Sequence, residues 1–134
     1  MNVCTYARVD RKDRLALKSQ TQRLSEYAAD RGYNVTAAIE DCGISGLANT
    51  SSLDAIIKLA DSDLFDAVLV FSPARVSRDT LTCLEFWEAL KMRGKELLFV
   101  SEGVGGIEAC FLAVKRLYRG VATCSSGITP SERD

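Results

Sequence analysis

Arg8 lies at the end of one short apolar run and Arg75 and Arg78 follow another far along the chain, both runs of the kind that becomes a buried strand. A guanidinium meets phosphate through two parallel hydrogen bonds, so three arginines gathered on one rim would form a phosphate site. Taken singly, each arginine reads as a solvated loop residue; the convergence of three is what carries the phosphate reading. Asp10 lies two residues after Arg8, and a carboxylate there has two uses. With Asp13 it can start the following helix, since carboxylates favour helix N-termini. Alternatively it pairs with the arginines and holds a repulsive cluster together, which is the preferred reading. Asp41-Cys42-Gly43-Ile44-Ser45-Gly46 follows the second apolar run and Arg75-Val76-Ser77-Arg78 the third.

These segments need a scaffold that brings strand ends together. Val3–Val9, Tyr33–Ile39, Ala67–Phe71 and Leu97–Val100 read as strands. Helices are expected between them. Leu17, Leu24, Tyr27 and Ala28 recur at helical spacing before Gly32. Leu53, Ile56, Ile57 and Ala60 follow a capping box formed by Ser51 and Asp54. Leu81, Leu84, Trp87 and Leu90 line a third helix that ends at Gly94, and Ile107, Phe111, Val114 and Tyr118 a last one. Alternating strands and helices predict a three-layer, doubly wound α/β domain with a mainly parallel sheet in flavodoxin-like order. Ligands bind such sheets beyond the carboxyl ends of the strands, where the arginines fall. The polar stretch Asp41–Thr50 is expected to be a loop. One domain is expected over residues 1–120, with a disordered tail over 121–134, where Ser, Thr, Gly and Pro dominate.

Composition narrows the chemistry. There is no histidine, which removes His-based catalysis and most zinc sites, and the five cysteines lack metal-ligand spacing. No metal and no cofactor are expected, and the cysteines read as reduced thiols. Lys and Arg number 17 against 18 Asp and Glu, so the formal charge of -1 argues against tight DNA binding by the chain as a whole. It leaves room for a local basic face. Arg11, Lys12, Arg14, Lys18 and Arg23 form one such stretch, readable as a solvated helix start or as a track for a phosphate backbone. No apolar run reaches the ~20 residues of a membrane span and the first residues lack a signal-peptide pattern, so a cytoplasmic protein is expected.

Tyr6-Ala7-Arg8-Val9, the helix residue Gln20, the Asp-x-Gly-x-Ser-Gly stretch and the Arg-x-x-Arg after the third strand together resemble the catalytic domain of the resolvase/invertase family of serine recombinases. The likeness runs from about Val3 to Val104. It implies site-specific DNA cleavage and rejoining through a phosphoserine link, with DNA as partner and no metal. It also implies a second copy or a partner recombinase as protein partner. Arg8, Arg75 and Arg78 match arginines that stabilise the transition state, and Gln20 matches a glutamine of the active-site network. Ser45 and Gly46 match the Ser-Gly of the mobile loop, which makes Ser45 a further phosphate contact.

Three positions depart from the family pattern. Asp10 occupies the place of the serine nucleophile. Ala74 stands where an aspartate usually precedes the first arginine of Arg-x-x-Arg. Thr50, in the stretch Asn49–Ser52, stands where an arginine usually precedes a helix. The resemblance therefore implies a domain with an impaired site. Ser72 and Ser77 lie near the rim and are read as solvated or capping residues rather than as substitute nucleophiles. Residues Ile107–Arg119 make a short final helix, from which weak or no dimerisation is expected.

Two other readings stay open. One is a non-enzymatic module of the same fold that binds DNA or a partner recombinase. The other is a receiver-like signalling domain. A receiver needs an aspartate at the end of the third strand, where Ser72-Pro73-Ala74 stands, and an acid pair after the first, where Asp10 is followed by Arg11. No glycine-rich phosphate loop is present to support a nucleotide site.

Overall fold

Four consecutive buried residues form β3 (Ala67–Val70), the mark of a strand covered on both faces. A computed structural model of the chain, which describes residues 1–101, places this strand inside a four-stranded sheet of order β2-β1-β3-β4 with every pairing parallel. β1 (Asn2–Val9) is central, β2 (Asn34–Cys42) lies outside it, and β4 (Glu96–Phe99) lies beyond β3. This is the expected doubly wound α/β order. The connecting helices are α1 (Arg14–Asp30), α2 (Thr50–Asp61), the single turn α3 (Pro73–Val76) and α4 (Thr80–Met92). The expected final helix with Ile107, Phe111, Val114 and Tyr118, the domain limit at 120 and the tail over 121–134 lie outside the described residues.

Side chains alternate across β1, and the alternation sorts the chemistry. Val3, Ala7 and Val9 pack with Leu17, Leu24 and Ala28 of α1 and with Ala67, Leu69 and Leu98 of the neighbouring strands. Cys4, Tyr6 and Arg8 occupy the opposite alternation, and all three are buried. Burial pushes the Cys4 thiol up to about 12, so it stays protonated and inert.

Two local expectations are revised. β2 continues to Cys42 instead of giving way to loop at Asp41, because Arg8 and Val9 extend the β1 ladder to Asp41 and Cys42. The ladder closes where the Gly43 and Ile44 amides both donate to the Val9 carbonyl, at 2.9 and 3.2 Å. α2 starts at Thr50 with Asn49 as its N-cap, not through a Ser51–Asp54 box. The Asn49 side chain makes no capping bond, because it is used elsewhere in the core. Asp13, by contrast, caps α1 by accepting from the Ala16 amide at 3.0 Å.

Candidate functional site

β1 delivers Arg8 to the carboxyl edge of the sheet, and its guanidinium is only 1% exposed. A buried charge requires partners, and Arg8 finds four. Nη1 pairs with the Asp10 carboxylate and donates to the Ile44 carbonyl at 3.0 Å. Nε donates to the Arg75 carbonyl at 3.1 Å and Nη2 to the Ala74 carbonyl at 2.5 Å. Four of its five N–H groups can thus be satisfied within the protein. Gln20, buried on α1, fixes the Arg8 backbone from the other side. Its Oε1 accepts from the Arg8 amide at 2.9 Å and its Nε2 donates to the Arg8 carbonyl at 3.1 Å. Arg75 Nη1 donates to the same carbonyl at 3.3 Å.

The turn after β2 brings Arg78 to this cluster. The Gly46 carbonyl accepts from the Arg78 amide at 3.2 Å and the Ser77 hydroxyl at 3.0 Å. A Cβ on Gly46 would stand 2.7 Å from Arg8 Nη2, 2.6 Å from Arg78 Cγ and 2.9 Å from the Arg78 amide nitrogen. Glycine is therefore required there by contact. Arg8, Arg75 and Arg78 are thus brought together around one turn, from segments nearly 70 residues apart. Their surroundings differ: Arg8 is enclosed, Arg75 half-buried, and Arg78 exposed with no acceptor for its guanidinium among the described residues. Asp10 is half-exposed and paired with Arg8, while Asp13 alone takes the helix-capping role. Ser45 is half-buried beside Gly46, and its Oγ accepts from the Leu47 amide at 3.1 Å.

Ala74 contributes its carbonyl to Arg8 and points no acid at it, while Thr50 is exposed at the start of α2. Ser77 is buried and braces the turn: besides its bond to Gly46, its Oγ accepts from the Asp79 amide at 3.0 Å. Ser72 is half-buried at the start of α3.

Beneath the rim sits a second polar network that residue types alone did not disclose. Tyr6 Oη donates to Asp41 at 2.6 Å and accepts from Asn49 Nδ2 at 3.0 Å. Asn49 Nδ2 also donates to the Val76 carbonyl at 2.6 Å, and the Ser52 hydroxyl donates to Asp41 at 2.9 Å. Burial, then the bond to the Asp41 carboxylate, raises the Tyr6 pKa, so this phenol is a fixed proton donor. The network ties β1, the end of β2, the start of α2 and α3 to one another. The only advance signal was an asparagine just ahead of a helix, which ordinarily reads as a cap.

Among the described residues no cluster of three acidic, thiol or imidazole groups could hold a metal ion. No helix among them is long and apolar enough to cross a membrane.

Residues 3–120 match the family model described as Resolvase, N terminal domain. No curated protein matches the chain. Among solved structures, the N-terminal catalytic domain of TP901-1 integrase aligns at a TM-score of 0.78 and 21% identity, covering 90% of this chain and 98% of that one. A resolvase family site-specific recombinase from Streptococcus pneumoniae aligns at 0.73 and 22%, covering 100% and 99%. The C-terminal catalytic domain of ISC1926 TnpA, an IS607-like serine recombinase, aligns at 0.69 and 24%, covering 90% and 84%. At these identities the likeness establishes the fold.

Proposed function

This chain belongs to the resolvase family through its N-terminal domain, and we propose that it engages DNA as a recombinase catalytic domain whose strand-cleaving step is silenced. The observation that carries this reading is the pairing of Asp10 with Arg8. Cleavage by this family needs an alcohol at that position, able to lose a proton and attack an anionic phosphodiester. A carboxylate has no such proton in its ionised form and repels the phosphate. Here it also places a negative charge at the rim, beside the buried guanidinium of Arg8. Losing a nucleophile costs ~10⁴-fold or more in rate. A missing transition-state arginine, as at Thr50, costs a further ~10³-fold by analogy with phosphoryl transfer.

The residues that remain suit holding a phosphate. Among the described residues Arg78 is exposed without an acceptor, and Arg75 has one weak side-chain bond to a carbonyl. Arg8 and Gln20 act as positioning residues for the turn and α3. A non-enzymatic module that binds DNA or a partner recombinase is what this reading leaves once chemistry is removed.

The test joins the chain to a sequence-specific DNA-binding module and seeks phosphoserine-linked DNA on denaturing gels. The series is Asp10→Ser, then Asp10→Ser with Thr50→Arg, then both with Ala74→Asp. No adduct is expected from the unmodified chain or from Asp10→Ser alone, because catalytic groups that act as a unit are not restored singly. An adduct from the unmodified chain would overturn the silenced reading. A strong adduct from Asp10→Ser alone would show that only the nucleophile is missing.

A further inference from the structure

The turn that carries Gly46 has a second basic group at its other end. A Cβ on Gly43 would lie 2.6 Å from Lys12 Cγ and 3.6 Å from Lys12 Cε, so the Lys12 stem runs directly over this glycine. Gly43 also has a φ of +77°, which disfavours any side chain there. Beside it opens a cleft of about 730 Å³ lined by Arg11, Lys12, Asp13, Arg14, Leu15 and Cys42. Three cations face one carboxylate, and that carboxylate accepts from the Ala16 amide. None of the three cations has a carboxylate partner among the described residues. In a chain whose formal charge is -1, this excess is local.

The cleft is contiguous with the rim. Cys42, on its wall, is the β-sheet neighbour of Val9, one residue beyond the pairing of Arg8 with Asp41. From Gly43 to Gly46 the chain spans at most ~10 Å, about the axial rise of three phosphate steps on one DNA strand.

We infer that the Arg11–Arg14 cleft binds backbone phosphates of DNA and extends the track that begins at Arg75 and Arg78. The inference rests on the proposed engagement of DNA and adds to it a place outside the rim. The cations meet phosphates as point charges, so the contact is independent of sequence.

The experiment is fluorescence anisotropy of the full chain with a labelled random-sequence duplex, titrated with salt. Arg11→Ala/Lys12→Ala/Arg14→Ala is expected to flatten the slope of log affinity against log salt by roughly 2 to 3, since each neutralised phosphate contributes ~0.9. Arg75→Ala/Arg78→Ala is expected to remove a separate part of the slope, and the combined variant the sum of both. Arg11→Lys/Arg14→Lys should keep the original slope, and its loss there would mean these residues shape the loop and bind no phosphate, overturning the inference. An unchanged slope in the triple variant, with binding lost only in the rim variant, would overturn the cleft while leaving DNA engagement intact. Absence of duplex binding by the unmodified chain at low salt would overturn both. Binding of an acidic peptide that is lost in the triple variant, with the duplex slope unchanged there, would assign the cleft to a protein partner and likewise overturn the inference. Thermal midpoints matching the unmodified chain confirm that each variant is folded.

Discussion

The two sides of β1 are made of different material. On one side Val3, Ala7 and Val9 meet the apolar face of α1. On the other, Cys4, Tyr6, Arg8 and then Asp10 pass from thiol to phenol to guanidinium to carboxylate as the strand approaches its end. The first side gains from the hydrophobic effect alone, which is non-directional and tolerates modest repacking. The second depends on directional bonds whose partners come from β2, α2 and α3. A single strand thus separates holding the fold from placing the charges. Gln20 is the exception: it reaches from the apolar helix to grip the Arg8 backbone, and so sets the strand edge from behind.

Substitutions can break that division in order of size. Leu24→Ala empties fully buried volume on the apolar side and is expected to cost about 2–5 kcal/mol. Urea unfolding should show the loss, while DNA affinity of the folded fraction stays unchanged. A change in affinity as large as the change in stability would show that the two sides are not separate. Tyr6→Phe removes one hydroxyl from the polar side and leaves Asn49 and Asp41 each short of a partner. The expected loss is about 1–3 kcal/mol. It should be accompanied by altered amide shifts across the 43–46 turn in NMR spectra, and a purely global effect would count against the network's role.

The smallest effect concerns Asp79 at the start of α4. Its bond from the Thr82 hydroxyl holds its carboxyl below the usual range. A lowered folded value means the contribution is present above the unfolded pKa and is lost as pH falls through the folded one. Asp79→Ala is therefore expected to reduce stability near neutrality while matching the unmodified chain at strongly acid pH. Equal loss at every pH would place the effect in packing and not in charge.

The strand–helix alternation was legible because a strand covered on both faces reads as an unbroken apolar run and a half-buried helix as a stripe of period 3.6, so Ala67–Val70 and the α1 stripe could be read directly. The gathering of Arg8, Arg75 and Arg78 was legible too, because Arg8 ends one strand and Arg75 and Arg78 follow another, in a sheet whose order places those ends together. Their inequality was not. Arg8 is enclosed by carbonyls of Ile44, Ala74 and Arg75, and backbone acceptors leave no mark in residue types. Asn49 was illegible for a related reason: its cap position is visible locally, but Tyr6 and Val76 compete for the same amide and are distant in sequence. The extension of β2 to Cys42 depended on how far β1 could pair, which polar residues at a strand end do not announce.

The enclosure of Arg8 also bears on the order of folding. Its carbonyl acceptors stand 36, 66 and 67 residues further along the chain. Closing loops of that length carries entropy that contacts within a single helix never face, and non-local pairings are correspondingly slow to form. β1 and α1 can associate early, but the guanidinium has no seat until β3 has paired with β1 and α3 has turned behind it. The rim is thus among the last parts of the described chain to take shape, with low φ-values expected for Arg8 and its neighbours in folding kinetics. Mutations there should speed unfolding far more than they slow folding.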